Sequence, residues 1–455
     1  MNNTFDWSVF KAYDIRGIYD QQLDEKLAYA LGQAMVSLLA KDTSQSKFQI
    51  VVSRDMRPSS KSLSQSLIKG LVDAGATVID IGLNSTPSFY FAVAYYQYDG
   101  GIQITASHNP SEYNGFKLVR QKAKPIGEGT GMEELVEIIK TQQPKKVNGG
   151  QIVKLNSVAS DQLKFIEELV DLKQIKPFKI VVDAANSVGG QDISSLFSKL
   201  PCQLIPLYFE LDGTFPNHDA DPLKPENLVD IKKEVIKQKA DLGIALDGDG
   251  DRMFFIDELG NEMPQPILRG MMAQIELAKQ PDAVVCYDIR PGKITKDMID
   301  QVHGKSVITK VGHSLIKAKM DEVGAIFGGE SSGHYFYKFP FGTFDTPMVL
   351  LAKFLVHISR LDQPLSAIIK PFDRYFHSGE INSDVQDKEG AIQRLANRYS
   401  DAQISYLDGI TITYSDFWFN VRPSNTEPKL RLNLEAVAKE VMEQKRDEVL
   451  AIIRQ

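Results

Sequence analysis

Cysteine is nearly missing: Cys202 and Cys286 are the two in 455 residues, too few and too far apart for a disulfide framework or a zinc site. Their apolar settings, LPCQLIPLY and AVVCYD, predict buried thiols on strands. No apolar run approaches the roughly 18 residues of a membrane span, which excludes a helical membrane protein. Basic charge is in deficit too. A formal net charge of −7 opposes the basic face that nucleic acid requires, so any phosphate is held by a few aimed groups. The N-terminal MNNTFDWSVFKAYD has no basic segment followed by an apolar one, and the expected location is the cytoplasm. The phosphate loop GxxxxGK[ST] does not occur, which disfavours a P-loop kinase.

What is present is an ordinary soluble composition, 43% hydrophobic and 24% charged, over a length that predicts three or four units of about 100–200 residues. Short β-branched runs alternate with helix-length amphipathic segments. They fall into three groups: FQIVVSRD, ATVIDIG and GIQITAS; FKIVVDAAN, CQLIPLYF and DLGIALDGDGD; AVVCYDI, SVITKVG and GAIFGGESS. Such alternation predicts mixed or parallel sheets covered on both faces, three copies of one α/β/α sandwich. In each group the third strand ends in the most polar stretch, TASHNP, DGDGDR or GGESSGH. Open α/β sheets bind ligands beyond the carboxyl ends of their strands, so the three stretches are expected to wall one central cleft. After SRLDQPLS, a smaller α+β unit of strands flanked by helices is expected. The expected domains are 1–147, 148–251, 252–366 and 367–455.

Asp247, Asp249 and Asp251 alternate with glycines, which lets the backbone curl and bring three carboxylates onto one hard divalent cation. An EF-hand would use Glu258 as its last ligand, but Arg252 stands where that loop needs glycine, and LGIAL before it reads as strand. Few carboxylates, with room for a phosphate oxygen, suit Mg²⁺. Ser107 follows the strand IQITA, with His108, Asn109 and Lys117 close by. As an isolated residue it would be a turn or cap serine. Beside a metal it could serve phosphoryl transfer, which demands alignment and charge neutralisation, with Lys117 and Arg252 opposite the phosphoryl oxygens.

Glu330 and Ser332 offer a carboxylate and a hydroxyl suited to vicinal diols of a sugar. Arg422, Ser424, Asn425 and Thr426 make a donor-rich loop of the kind that wraps a phosphate dianion. Tyr13 and Arg16 lie on what reads as an unpaired segment, FKAYDIRG. His313 sits just ahead of a helix.

TASHNP, DGDGDR, GESSGH and RPSNTEP, in that order and with KAYDIRG before them, resemble the motifs of the α-D-phosphohexomutases, most closely bacterial phosphomannomutase/phosphoglucomutases. The resemblance covers essentially the whole chain. It implies four domains around a deep cleft, Mg²⁺ on Asp247, Asp249 and Asp251, and a phosphoserine at Ser107. It implies that Glu330 and Ser332 grip sugar hydroxyls, with His334 beside them, and that Arg422, Ser424, Asn425 and Thr426 take the phosphate that is not reacting. Lys117, His313, Tyr13 and Arg16 would line the reacting end, Arg16 and His313 handling protons. The partners implied are hexose phosphates, with a hexose 1,6-bisphosphate as intermediate and activator; no obligate protein partner is evident. Arg290, in YDIRPGK, stands where relatives often carry lysine. The hydroxyl-bearing GESSG is like the glucose/mannose group, phosphoglucosamine mutases being the alternative. A sugar-phosphate-binding protein without catalysis is the alternative of another class.

Overall fold

The computed structural model describes residues 5–43, 45–141, 146–290, 292–423 and 429–455. It has two compact units, Met1–Met263 with Ser332–Ser366 and Pro264–Ser331 with Ala367–Gln455. Among the described residues no helix is long and apolar enough to cross a membrane.

In the first unit, one mixed sheet runs in the order Ile15–Ile18, Tyr113–Arg120, Gly100–Ile104, Gln49–Arg54, Thr77–Leu83, Gln151–Lys154. Its inner strands are parallel, whereas Tyr113–Arg120 returns antiparallel to Gly100–Ile104. Helix Glu25–Asp42, capped by the Asp24 carboxylate on the Lys26 and Leu27 amides, lays Leu27, Leu31, Met35 and Leu38 against Ile50, Val52, Ile102 and Ile104. Helix Thr86–Tyr95 covers the other face with Phe89, Tyr90 and Val93. With both faces covered, each fully buried Leu, Ile or Phe is worth about 1.5–3 kcal/mol, and the inner strands have no solvent side to alternate with. Gly100–Ile104 is accordingly buried at every position.

The second sheet of this unit has the order Met253–Asp257, Leu242–Leu246, Lys179–Asp183, Gln203–Leu207. Two expected divisions meet strands here. Gln151–Lys154 pairs with Thr77–Leu83 and so belongs to the first sheet, beyond the division after residue 147. The division after Asp251 falls inside a hairpin whose strands, Leu242–Leu246 and Met253–Asp257, share one sheet.

The third α/β stretch is shared between the units. Parallel strands Lys305–Thr309, Val284–Asp288 and Phe327–Gly329 lie in the second unit, and the hairpin Tyr335–Phe339 with Gly342–Asp345 lies in the first. The second unit also holds an antiparallel sheet, Phe376–Asp384, Lys429–Ala436, Phe417–Pro423, Ile410–Thr413, Gln403–Ser405, packed by helices Lys388–Arg398 and Lys439–Ile453. Both cysteines are free thiols; Cys286 is buried on its strand, but Cys202 is only partly buried and precedes strand Gln203–Leu207.

Candidate active site

In the first unit, strand Gly100–Ile104 delivers Ser107 to the carboxyl end of its sheet. The residue is 1% exposed and has φ +50°, a left-handed conformation that a side chain adopts only under constraint. Its hydroxyl donates to Asp247 Oδ2 at 3.0 Å and lies 3.2 Å from His108 Nδ1. Burial, then the charges of Arg252, Arg16 and Lys117, push the His108 imidazole well below its usual range.

The acidic loop comes from the neighbouring sheet of the same unit. Two of its features need glycine: a Cβ on Gly248 would stand 2.3 Å from the Ser107 carbonyl oxygen, and Gly250 has φ +74°. Asp247 Oδ1 accepts from the Asp251 and Arg252 amides at 3.1 and 3.2 Å. Lys117, alternating inward from strand Tyr113–Arg120, reaches Asp249 Oδ2 at 2.7 Å and Asp251 Oδ2 at 2.6 Å. Burial works against the lysine charge, yet Asp249 and Asp251 hold it well above the ordinary value. Burial pushes the Asp247 carboxyl well up, and repulsion from Asp251 and Asp249 adds to it.

Oxygen atoms of Asp247, Asp249 and Asp251 lie within 4.8 Å of one another. Asp249 Oδ1 and Asp251 Oδ1 are buried and lack a hydrogen-bond partner among the described residues. Unpartnered carboxylate oxygens in a dry site are costly unless a cation or donor meets them, and an all-oxygen set suits a hard divalent ion. The three residues fit a metal. Glu258, the alternative EF-hand ligand, instead accepts from the Ser366 amide at 3.1 Å and from its hydroxyl.

Arg252 Nε donates to His334 Nε2 at 3.0 Å and lies 3.6 Å from Asp247 Oδ2. His334 Nδ1 in turn is 2.8 Å from Asp345 Oδ1 and 3.6 Å from Asp251 Oδ1. His334, expected beside the sugar, is 3% exposed and packed behind Arg252. Ser332 is buried in this unit. Arg16 is not on an unpaired segment: strand Ile15–Ile18 pairs antiparallel with Tyr113–Arg120, placing Arg16 opposite Gly115. The guanidinium donates to Asn109 Oδ1 at 2.6 Å and is ion-paired with Asp14. Tyr13 lies just before that strand.

Thr86 and Asp345 were not among the expected site residues. The Thr86 hydroxyl donates to Asp249 Oδ2 at 2.5 Å and its amide to the Asp249 carbonyl at 2.9 Å. The only sequence sign of it is Ser85-Thr86-Pro87, an N-cap signature of helix Thr86–Tyr95.

The second unit carries a different ionic group. Asp288, at the end of its strand, accepts from Arg269 Nη1 at 2.6 Å, from Arg290 Nε at 2.6 Å, and from the Ser331 amide and hydroxyl at 3.0 Å. Arg290 Nη2 is 3.1 Å from Glu330 Oε1, which also accepts from the Gly312 amide at 3.0 Å. His313 is the first residue of helix His313–Val323. Arg422 Nη2 donates to Glu380 Oε2 at 2.9 Å, a carboxylate shared with Asn433 and Arg431. Ser424, Asn425 and Thr426 lie outside the described residues.

Four family models match in sequence order: phosphoglucomutase/phosphomannomutase alpha/beta/alpha domain I at 8–146, domain II at 161–260, domain III at 267–375, and the C-terminal domain at 380–452. The chain is 38% identical to a phosphomannomutase of Methanocaldococcus jannaschii over 454 residues, covering 98% of each. It is 37% identical to a phosphomannomutase/phosphoglucomutase of Pseudomonas putida, covering 94% of this chain and 92% of that protein. Among solved structures, a phosphoglucomutase/phosphomannomutase family protein of Burkholderia thailandensis superposes with a TM-score of 0.90 at 31% identity, over 98% of this chain and 97% of that one. With every domain matched in order along nearly its full length, the chain belongs to the phosphoglucomutase/phosphomannomutase family of phosphohexose mutases.

Proposed function

We propose that the chain is a Mg²⁺-dependent mutase that moves a phosphoryl group between the 1- and 6-hydroxyls of mannose and glucose phosphates, with Ser107 as the carrier. The observation that supports this most is the seryl hydroxyl directed at Asp247 inside a cluster of carboxylates whose free oxygens suit a divalent cation. Phosphoryl transfer needs in-line alignment and charge neutralisation more than covalent help from the protein.

In the first half-reaction the bond between phosphorus and Ser107 Oγ breaks as a bond forms to the free hydroxyl of a hexose monophosphate, giving the 1,6-bisphosphate. One proton passes overall from the sugar hydroxyl to the seryl oxygen. After the bisphosphate turns over, the other phosphate returns to Ser107 by the reverse of this step. Asp247, Asp249 and Asp251 would hold the metal, which when bound supplies positive charge against the phosphoryl oxygens. Lys117 and Arg252 add fixed positive charge at the same place. Arg16, held by Asn109 and Asp14, would line the reacting end and orient the phosphoryl group. His108, with Nδ1 3.2 Å from Oγ, is placed to handle the proton on the seryl side.

Glu330 and Ser332 are proposed to hold sugar hydroxyls, and Arg422 with Ser424, Asn425 and Thr426 the distal phosphate. Tyr13, Arg290 and His313 complete the proposed contacts. The test is phosphopeptide mapping of freshly purified protein together with turnover assays on glucose, mannose and glucosamine phosphates. Phosphate on Ser107, and Ser107→Ala protein that still binds glucose 1-phosphate without turning it over, are the expected results. Turnover by Ser107→Ala at the normal rate would remove Ser107 from the mechanism. Glucosamine 6-phosphate as the preferred substrate would move the specificity to the aminosugar.

A further inference from the structure

Arg57 lies under the seryl loop, 1% exposed, on the connection that follows strand Gln49–Arg54. Its Nη2 donates to the carbonyls of Ser107 at 2.7 Å and Asn109 at 2.6 Å. Its Nη1 donates to those of Pro110 at 2.6 Å and Tyr113 at 3.0 Å. Nε donates to Asp55 Oδ2 at 3.2 Å. A guanidinium has five N–H groups in a rigid plane, and here every acceptor except Asp55 is main chain of the single loop that carries Ser107. The face of the guanidinium rests against Phe215, 5.1 Å from the ring centre.

Asp55 is fixed in turn. It accepts from the Ser60 hydroxyl at 2.5 Å and from the Arg57 amide at 3.0 Å, and its own amide donates to the Ile104 carbonyl at 3.0 Å. The guanidinium is therefore anchored to the end of the strand that leads into the loop. The pair is expensive: burial pushes the Asp55 carboxyl up and the Arg57 guanidinium down, each against its partner's charge. An apolar pair of the same volume would cost less as packing, but it could not satisfy four carbonyls turned inward. The loop has a particular need for such a brace, because Ser107 sits at φ +50°, and a strained conformation persists only where its surroundings over-determine it. The Ser107 carbonyl is held from two sides, by Arg57 Nη2 and by the close approach of Gly248.

We infer that Arg57 is a positioning residue for phosphoryl transfer: it holds the 107–113 backbone in the one turn that aims Ser107 Oγ at Asp247. It touches the loop only through main-chain oxygens, so the brace is the same whether or not the seryl oxygen carries phosphate. The inference rests on the reading that Ser107 carries the phosphoryl group.

The test is Arg57→Lys, which keeps the charge beside Asp55 but replaces a planar fork by a point donor. In folded protein the expected result is a fall in kcat of about a hundredfold, the scale of a small misplacement of a reacting atom. KM for glucose 1-phosphate should stay within about threefold, since the sugar phosphate is held elsewhere. If Arg57→Lys does not fold, the double variant Asp55→Asn/Arg57→Gln, which leaves no buried charge unpaired, takes its place with the same expectation. Normal kcat in the folded variant, or a loss carried by KM alone, overturns the inference. Phosphopeptide mapping of the unaltered protein separates the two levels: no phosphate on Ser107 defeats the carrier reading itself, whereas phosphate on Ser107 with normal kcat in the variant defeats only the role of Arg57.

Discussion

Two buried ionic clusters, one in each unit, are built on opposite principles. In the first, Asp247, Asp249 and Asp251 face Lys117 and Arg252, three carboxylates against two cations, with His334 between Asp251 and Asp345. In the second, Asp288 and Glu330 face Arg269 and Arg290, two against two. The balanced group fixes strand Val284–Asp288 to the loop at Ser331. The unbalanced group leaves carboxylate oxygens without donors and raises the Asp247 carboxyl through burial and the repulsion of Asp251 and Asp249. A surplus of carboxylates in a dry site suits a cation, whereas a matched set of buried charges neutralises itself.

The largest effects expected from this contrast have opposite signs. Asp288→Ala strips a buried pair of its shared acid and should cost about 3–5 kcal/mol of stability. Asp247→Asn removes a charge that burial and its neighbours already oppose, and in metal-free protein it should raise stability. Denaturant unfolding of both variants in chelator measures this, and equal losses would erase the distinction between the clusters. Next in size is the response to the ion. Mg²⁺ at about a hundred times its Kd should stabilise the parent protein by about 2.7 kcal/mol. The rise in Tm should vanish in Asp247→Asn and Asp251→Asn and persist in Asp288→Ala; persistence in all three would place the ion elsewhere.

Sequence reasoning reached the first cluster more completely than its supports. Ser107 and the three aspartates are legible because each stands just past the end of an apolar strand, where α/β sheets carry their chemistry, and Lys117 because it follows Ser107 closely in sequence. Arg57 and Asp55 obey the same rule, in QIVVSRDMR, but their partners are main-chain carbonyls about 50 residues on, which no local pattern shows. Ser85-Thr86-Pro87 marks a helix start but not the contact Thr86 makes with Asp249, far along the chain, and nothing in TFDTP marks Asp345 as the partner of His334. The segment at Arg16 was expected to be unpaired because IRGI is too short to show an alternating pattern; its pairing with Tyr113–Arg120 is set by that longer strand. The divisions after residues 147 and 251 followed polar composition, and strand pairing crosses both.

A third buried acid sharpens the comparison further, because it has no cation beside it among the described residues. Asp192, on helix Gly189–Phe197, accepts from the hydroxyls of Ser85 at 2.5 Å and Ser88 at 3.2 Å. Burial raises its carboxyl from 3.8 to about 6 in spite of these donors. The folded protein therefore keeps this proton after the unfolded chain has lost it, so stability from this group falls as pH rises between those values and stays lost above them. Asp192→Asn should stabilise the protein by about 3 kcal/mol near pH 8 and by far less near pH 4, because the penalty exists only when the carboxyl is ionised. Tm measured across that range checks it; a gain of the same size at both ends would mean that packing, not charge, had changed.

The smallest expected effect comes from a pair that is balanced but partly exposed. His218 Nε2 is 3.0 Å from Asp183 Oδ2 and Nδ1 is 2.8 Å from the Asp219 carbonyl, so both ring nitrogens face acceptors and the geometry favours the imidazolium. Burial alone would push its pKa down, but the hydrogen bond and charge of Asp183 outweigh it and leave the ring above its usual 6.5. The pH dependence has the same sign as for Asp192, but here it is the charged form that the fold favours: the stabilisation is complete below the unfolded value and is lost as pH rises through the folded one. His218→Gln, which can still donate to Asp183 but carries no charge, should lower Tm in mildly acidic buffer and leave it unchanged in alkaline buffer. A loss that grew with pH would show that the ring is held there as the neutral form.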